Sequence, residues 1–423
     1  MKSVRIIQLK NLPRSTTSRV CDGQIQAGLV WNQCARLHRE AREKRTPWPD
    51  KASLQKETKG KFELHSQSAQ MVCHAFLANV DTAKKLRKEN RKIRYPYKEK
   101  RFYPLLWPAQ AISHEKGRLV LPMGRGRPSI VLKVDVQEKI GSCKIVYKDG
   151  LELHVVTEKE NVENKPNPDV HATVDLGEIH QAAVTTNTGK AAVISGRGIR
   201  TLKRQRAKQF GQIAKKRSRC KKGSNRHKKL MAARRKVSQR SKNRIRDLRH
   251  KGTRKVIEFC KANAVAKLYV GHPKGISQKD SGRKHNQRMS NWEFYKDIQY
   301  LKEKAEHSHI ECFTGSERGT SSQCPRCDKK KKAKGRWWKC PQCKFEGHRD
   351  IVGSVNMHPI GFNEKVIFPV LITYLLPGQI RRSSSPGTGQ SCLSESISYN
   401  HQPSWTAQAV GHANRSLSEA YPL

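Results

Sequence analysis

The chain has 423 residues, enough for two or three domains, and carries 86 Lys or Arg against 35 Asp or Glu, a formal net charge of +51. Such a field suits a polyanion, nucleic acid before any other. No apolar run reaches the roughly 18 residues that suggest a membrane helix, which sets a membrane partner aside. The N-terminal MKSVRIIQLKN is basic and then apolar, but its apolar part is too short for a secretion signal and lacks a small-residue cleavage site. An intracellular, cytoplasmic protein is expected. Its 12 cysteines fit a reducing compartment, with four clustered and the rest scattered as free thiols.

Residues 1–10 alternate as a strand does, with Val4, Ile6 and Leu9 among polar positions. Gly28 to Glu43 and Ser66 to Arg91 carry apolar residues at helical spacing, and Trp31 is expected to pack inward. Residues 92–108 interleave Lys and Arg with Tyr, Phe and Trp, which suits phosphate contact with base stacking and equally a loop with buried aromatics. From Arg118 the texture becomes β-branched and alternating: Arg118–Pro122, Ser129–Val136, Lys144–Tyr147 and Leu151–Thr157 predict strands. Lys148-Asp149-Gly150 supplies a hairpin turn. A small β-barrel or sheet is expected, with a helical module of about residues 28–110 inserted in it. Asn161–Pro168 is a polar linker.

The stretch His171–Ser195, HATVDLGEIHQAAVTTNTGKAAVIS, predicts a three-strand meander with Asp175 in its first strand. Residues 200–263 are densely basic and helical, predicting a hairpin of two helices joined near Gly223-Ser224. Ala264–Gly271 predicts a buried strand, Asp280–Ser290 a polar loop, Asn291–His307 an amphipathic helix and His309–Phe313 a further strand. In Thr320–Asn356, Cys324 and Cys327 form one C-x-x-C knuckle and Cys340 and Cys343 a second, twelve residues on. Two dithiolate knuckles close a tetrahedral four-cysteine Zn²⁺ site; a disulfide or redox pair is the alternative, and a basic, nucleic-acid-like chain argues against it. Arg349-Asp350 opens a short helix ending near Asn356. Ile367–Leu376 is apolar, and beyond Pro377 the Ser-, Gly- and Pro-rich composition predicts disorder over 377–423.

This order of an aspartate-bearing strand, basic helical hairpin, strand, helix, TSSQCPRC with CPQC, and HRD with a following Asn resembles the TnpB family of RNA-guided transposon nucleases, relatives of the type V CRISPR effectors. The resemblance covers about residues 165–360. It implies an α/β chain with an RNase H-like (RuvC) nuclease domain over 166–319 and 345–376. It also implies a zinc ribbon at 320–344 and a wedge and recognition module over 1–165. It implies a guide RNA, double-stranded target DNA cut beside a short adjacent motif, structural Zn²⁺ and catalytic Mg²⁺. Asp175 and Asp350 match the first and last catalytic carboxylates, which as hard oxygen ligands suit Mg²⁺. The family's middle glutamate would end the strand that here reads Tyr269-Val270-Gly271-His272, where no carboxylate stands. Glu293, in the helix that follows, is the relocated candidate, with Asp297 its substitute. The alternatives are a catalytically inactive, guide-directed DNA-binding repressor and a plain zinc-ribbon RNA-binding protein.

Overall fold

The computed structural model describes residues 2–148, 150–158, 165–273, 275, 280, 282–331, 335–378 and 397–400. Two compact units divide the chain, Met1–Asn161 and Val162–Leu423. Asp149 of the expected turn, residues 161–164 of the expected linker and most of 377–423 lie outside the described residues.

The first unit contains β1 (Lys2–Leu9), α1 (Arg14–Glu43), α2 (Lys51–Thr58), α3 (Ser66–Glu89), β2 (Leu105–Pro108), β3 (Ser113–Glu115), β4 (Arg118–Leu121), β5 (Ile130–Lys133), β6 (Lys139–Tyr147) and β7 (Leu151–Glu158). Its strands form a four-stranded sheet, β1-β7-β6-β2, and a separate three-stranded sheet, β3-β4-β5. The ladder does not close into one barrel among the described residues. The first helix starts at Arg14, ahead of the expected Gly28, because Val20, Gly23, Gln24 and Ala27 continue its buried stripe toward the N-terminus. α2 was not foreseen; Asp50 caps it by accepting from the Ser53 amide at 2.8 Å. Trp31 does pack inward, stacked on Tyr103 at 4.7 Å and edge-on to Phe76 at 5.2 Å. Burying a ring the size of Phe76 contributes roughly 1.5–3 kcal/mol, so this aromatic contact ties α1 to α3.

The second unit opens with the expected meander, β8 (Asn167–Leu176), β9 (His180–Thr186) and β10 (Ala191–Ser195). The basic hairpin follows as α4 (Arg197–Ser218) and α5 (Asn225–Ala262), with Ser224 capping α5 through the His227 amide. Then come β11 (Val265–His272), α6 (Arg283–Asn291), α7 (Phe294–Glu306), β12 (Glu311–Ser316), β13 (Trp337–Lys339), β14 (Glu346–His348), α8 (Arg349–Val355), α9 (His358–Phe362), β15 (Leu371–Leu375) and β16 (Ile397–Asn400). α6 occupies much of the expected loop. β16, inside the stretch expected to be disordered, pairs antiparallel with β15.

The large sheet runs β12-β11-β8-β9-β10-β15-β16. β8, β9 and β10 are antiparallel neighbours, whereas β11 lies parallel to β8 and β12 parallel to β11. β8 is buried on both faces from Val170 to Val174, as a central strand must be when helices cover both sides. On one face Ala172, Val174 and Leu176 meet Val256, Ile257 and Cys260 of α5 and Ile298 and Leu301 of α7. On the other, Ala183, Ala191 and Val193 meet Ile351 and Val355 of α8. Alternate β8 side chains point to opposite faces, so Thr173 and Asp175 belong with α8; Thr173 confirms it by donating to the Ser354 carbonyl at 2.7 Å.

Candidate active site

Asp175 stands near the carboxyl end of β8, beneath α8. Gly353 of α8 leaves room for it: a Cβ there would lie 2.5 Å from Asp175 Oδ2. Loss of hydration, then the nearby Glu317 and Asp350 carboxylates, push the Asp175 carboxyl well above the usual range, against the pull of Arg349. Asp350 sits in the first turn of α8, where a carboxylate also suits the helix dipole. Its Oδ2 lies 2.7 Å from His180 Nδ1 and 3.4 Å from Arg336 Nη1. Burial opposes ionisation of Asp350, but the His180 hydrogen bond, helped by the Arg336 charge, prevails and holds its carboxyl below the usual range. His348, buried beside them, is held neutral, its pKa lowered to about 4 chiefly by burial.

The structure brings Glu317 to this pair. The parallel register places Gly271 of β11 opposite Gly315 of β12, and Glu317 follows β12 immediately. Its side chain folds over Gly271: a Cβ on Gly271 would lie 2.5 Å from Glu317 Oε2 and 3.2 Å from Glu317 Cβ. Glu317 thus fills the space that a side chain at 271 would take, and a glycine there is required by the close approach. Burial raises the Glu317 carboxyl to about 7, and its buried Oε2 has no hydrogen-bond partner among the described residues. Asp175 thus feels two further carboxyl groups, Glu317 and Asp350, at the carboxyl end of a parallel strand set, the end at which open α/β sheets place ligands. The donor set is all hard oxygen, one oxygen is orphaned, and two of the acids resist ionisation. Among the described residues, the group other than the four cysteines whose ligand atoms lie close enough to share one ion is His180, His348 and Asp350, all within 4.8 Å of one another.

Glu293 is not brought there. It precedes the first turn of α7 without a side-chain capping bond, on the opposite face of the sheet, and pairs with Lys296, with Arg249 Nη2 at 3.5 Å and with Lys203 at 3.9 Å. Asp297 is buried on the same side, 2.8 Å from Arg249 Nη1 and 2.9 Å from Gln181 Nε2. The expectation that helix α7 carries the relocated carboxylate is therefore corrected. α7 packs against the even-numbered β8 side chains, while Asp175 faces the other way. The signal that could have found Glu317 is the TGSE ending the strand beside Gly271, read with the rule that parallel strands align their carboxyl ends.

The four cysteines meet as expected. Cys324 and Cys343 Sγ lie 3.5 Å apart, as do Cys327 and Cys340 Sγ, and all four fall within 4.8 Å of one another. Zn–S bonds of about 2.3 Å in a tetrahedron put sulfurs ~3.8 Å apart, so the cluster can hold zinc. Trp338 and Val352 share its apolar surround, which ties the ribbon to α8 and hence to Asp350.

A basic cleft reaches the Asp350 partner Arg336. This cleft of about 1080 Å³ is lined by Glu178, Arg200, Lys203, Arg204, Arg288 and Arg336, among others. α4, which forms part of it, has no acidic residue and buries only Ile199 and Leu202.

Residues 154–277 match the family model OrfB_IS605, probable transposase, and residues 294–357 match the Cas12f1-like TNB domain. Over these residues the chain is similar to the OrfB_IS605 transposases and to the Cas12f1-like TNB domain. Among solved structures, the chain is similar to one described as the Cas12f1-sgRNA-target DNA complex, with a TM-score of 0.60, 13% identity and coverage of 81% of this chain and 82% of that one. It is also similar to a structure of the mini-RNA-guided endonuclease CRISPR-Cas_phi3, with a TM-score of 0.50, 9% identity and coverage of 87% and 94%. At these identities the likeness is one of fold, a mixed α/β fold of the Cas12f kind. No curated protein sequence matches the chain. No helix among the described residues is long and apolar enough to cross a membrane.

Proposed function

We propose that the protein is a guide-RNA-directed DNA endonuclease of the TnpB type, with Asp175, Glu317 and Asp350 as its catalytic carboxylates. The observation that carries this reading is the placing of Glu317 over Gly271, in the gap left by the missing middle glutamate. The strand order, with an antiparallel meander flanked by two parallel strands, supports an RNase H-like, RuvC-type domain. The three carboxylates would hold Mg²⁺, which when bound activates water and stabilises the leaving oxygen of a phosphodiester. Thr173 and Gly353 seat the Asp175 strand against α8. His180 fixes the Asp350 carboxylate, leaving its other oxygen for the cation. Arg200, Arg204, Lys203 and Arg288 in the cleft bind and orient the backbone of the strand to be cut.

Guide pairing would read the target, while protein contacts read a short adjacent motif. The first unit would serve as wedge and recognition module, and α4 and α5 would hold the heteroduplex backbone. Zinc would be structural. The location would be the prokaryotic cytoplasm, at the nucleoid. The non-cutting guided binder draws its motive from the absent carboxylate at Gly271-His272, and Glu317 removes that motive.

The test is to express the chain with its native flanking DNA, recover the bound RNA, and challenge a matching plasmid library with Mg²⁺. Cutting beside a short motif, lost in Asp175→Ala, is expected. RNA-directed binding without cutting would establish the guided binder. Bound RNA of no defined sequence would instead favour a zinc-ribbon RNA-binding protein.

A further inference from the structure

We propose that His180, His348 and Asp350 form a second metal site, separate from the four cysteines, that takes Zn²⁺ or another divalent ion with a preference for imidazole. Binding of this ion does not depend on the nuclease reading. Its consequence for cutting does rest on that reading, because Asp350 is one of the three carboxylates named above. Each of the three side chains offers one ligand atom, and these atoms all lie within 4.8 Å of one another. They converge from two parts of the unit. His180 opens β9, while His348 ends β14 and Asp350 stands in the first turn of α8. The rings of His180 and His348 are 5.1 Å apart, centroid to centroid, and His180 Nδ1 lies 2.7 Å from Asp350 Oδ2. Both histidines are buried, at 7% and 4% exposure. His348 Nδ1 has no hydrogen-bond partner among the described residues, although buried polar atoms are ordinarily paired. An orphaned ring nitrogen beside a second imidazole and a carboxylate is accounted for if it is a ligand.

Two imidazoles and a carboxylate fill three corners of a Zn²⁺ coordination sphere and leave the fourth to water. Donors about 2.0–2.1 Å from such an ion, at tetrahedral angles, stand ~3.4 Å apart. The 2.7 Å hydrogen bond would open around the ion, and pairs near the 4.8 Å limit would close on it. Imidazole suits Zn²⁺, Ni²⁺ and Cu²⁺, whereas Mg²⁺ prefers oxygen ligands and keeps its waters, so the donor set separates the two classes of ion. One group competes for the place. Arg336 Nη1 lies 3.1 Å from His180 Nδ1 and 3.4 Å from Asp350 Oδ2. Its side chain is 34% exposed and also lines the basic cleft, so the guanidinium has an alternative position, and an anion to meet when nucleic acid fills that cleft. Arg336 and the ion therefore exchange for the same two ligands. An ion held by both rings also takes one oxygen of Asp350, so it should slow cutting that needs this carboxylate for Mg²⁺.

The experiment uses the full chain with its bound RNA, dialysed against buffered Zn²⁺ and counted by elemental analysis. Two Zn²⁺ per chain are expected, one for each ligand group, and one in His348→Ala and in His180→Ala. Loss of either ring should weaken the second ion by about a hundredfold or more. Refilling with Co²⁺ gives a separate readout. The four-cysteine ion shows thiolate charge-transfer bands, and the second ion adds d–d absorption without them. Loss of the added absorption alone shows that the ribbon of the variant still folds. Arg336→Gln, which removes the competing charge, should tighten the second ion by about tenfold, and it keeps the test decisive if a histidine variant does not fold. Where the wild type cuts, added Zn²⁺ should slow Mg²⁺-supported cleavage, and His348→Ala should need about tenfold more Zn²⁺ for the same slowing. A single Zn²⁺ in the wild type, a second ion kept in both histidine variants as an adventitious ion would be, or unchanged affinity in Arg336→Gln overturns the proposal. If the wild type cuts nothing yet the histidine-dependent ion is present, the nuclease reading fails and the metal site stands.

Discussion

Two acidic clusters lie on opposite faces of the large sheet, and they differ in how their charge is met. On the α7 side, Glu293 and Asp297 are answered by Arg249, Lys203, Lys296 and Gln181. On the α8 side, Asp175 and Glu317 confront each other and Asp350, and Glu317 Oε2 has no hydrogen-bond partner among the described residues. The α7 cluster is closed by its own partners, whereas on the α8 side Asp350 is paired with His180 and Arg336 and burial leaves Asp175 and Glu317 resisting ionisation. The contrast also explains why residue type alone misled. Glu293 is an acidic residue on the right helix for the sequence, but its partners make it part of the structural network.

The contrast is most severely tested by moving the carboxylate. Glu317→Gly should lower cutting by ~10³ or more, several kcal/mol of barrier. Adding Gly271→Glu to that variant should recover most of it, because the new side chain grows into the vacated space. Failure of the double variant to recover, with its fold intact by circular dichroism, would argue against the two positions sharing one site.

Stability without divalent metal should then show opposite signs on the two faces. Glu317 has its folded-state pKa raised from 4.5 to about 7, so the fold favours its protonated form. Its stability contribution is full below the unfolded value and is lost as pH rises through about 7. At pH 8, Glu317→Gln should therefore stabilise the metal-free protein, by up to about 3 kcal/mol. Asp297→Ala should do the reverse, since Arg249, only 2% exposed, is left a buried charge without its closest carboxylate. A loss of about 3 kcal/mol is expected, read from chemical denaturation. The same sign at both sites would dissolve the comparison.

The smallest effect is on the α7 side in acid. His250 stacks on Tyr300 at 4.0 Å, and burial and then the Lys304 charge lower its pKa to about 4. The fold thus favours the neutral ring: stability is full above pH 6.5 and declines as the pH falls toward 4. After solvent screening of this half-buried group, about 1 kcal/mol is at stake, and His250→Phe should flatten that part of the acid-stability curve. An unchanged curve would mean that another histidine carries it.

Much of the second unit was legible in the sequence. The meander, the hairpin turn near Gly223-Ser224 and the two cysteine knuckles rest on local rules of alternation, turn residues and metal spacing, which need no knowledge of distant partners. Asp175 and Asp350 lie in such local motifs. Glu317 does not. Its role depends on β12 lying beside β11 in parallel register with Gly271 opposite Gly315, a pairing that joins segments separated by two helices. The α6 helix was hidden because its residues, RKHNQRMSN, have little apolar periodicity. Most strands of the first unit were legible, but β2 and β3 were not, falling in or beside the stretch read as a helical module, and neither was the pairing, since β1 finds its partner in β7 at the far end of the unit.

The most direct measurement compares Glu317→Gln with Glu293→Gln for guide-directed cleavage under Mg²⁺, each with its bound RNA verified. The site described here requires Glu317→Gln to lose cutting while keeping RNA and target binding, and Glu293→Gln to cut within a few-fold of wild type. Loss of cutting in Glu293→Gln, with Glu317→Gln still active, would contradict it and return the catalytic carboxylate to α7.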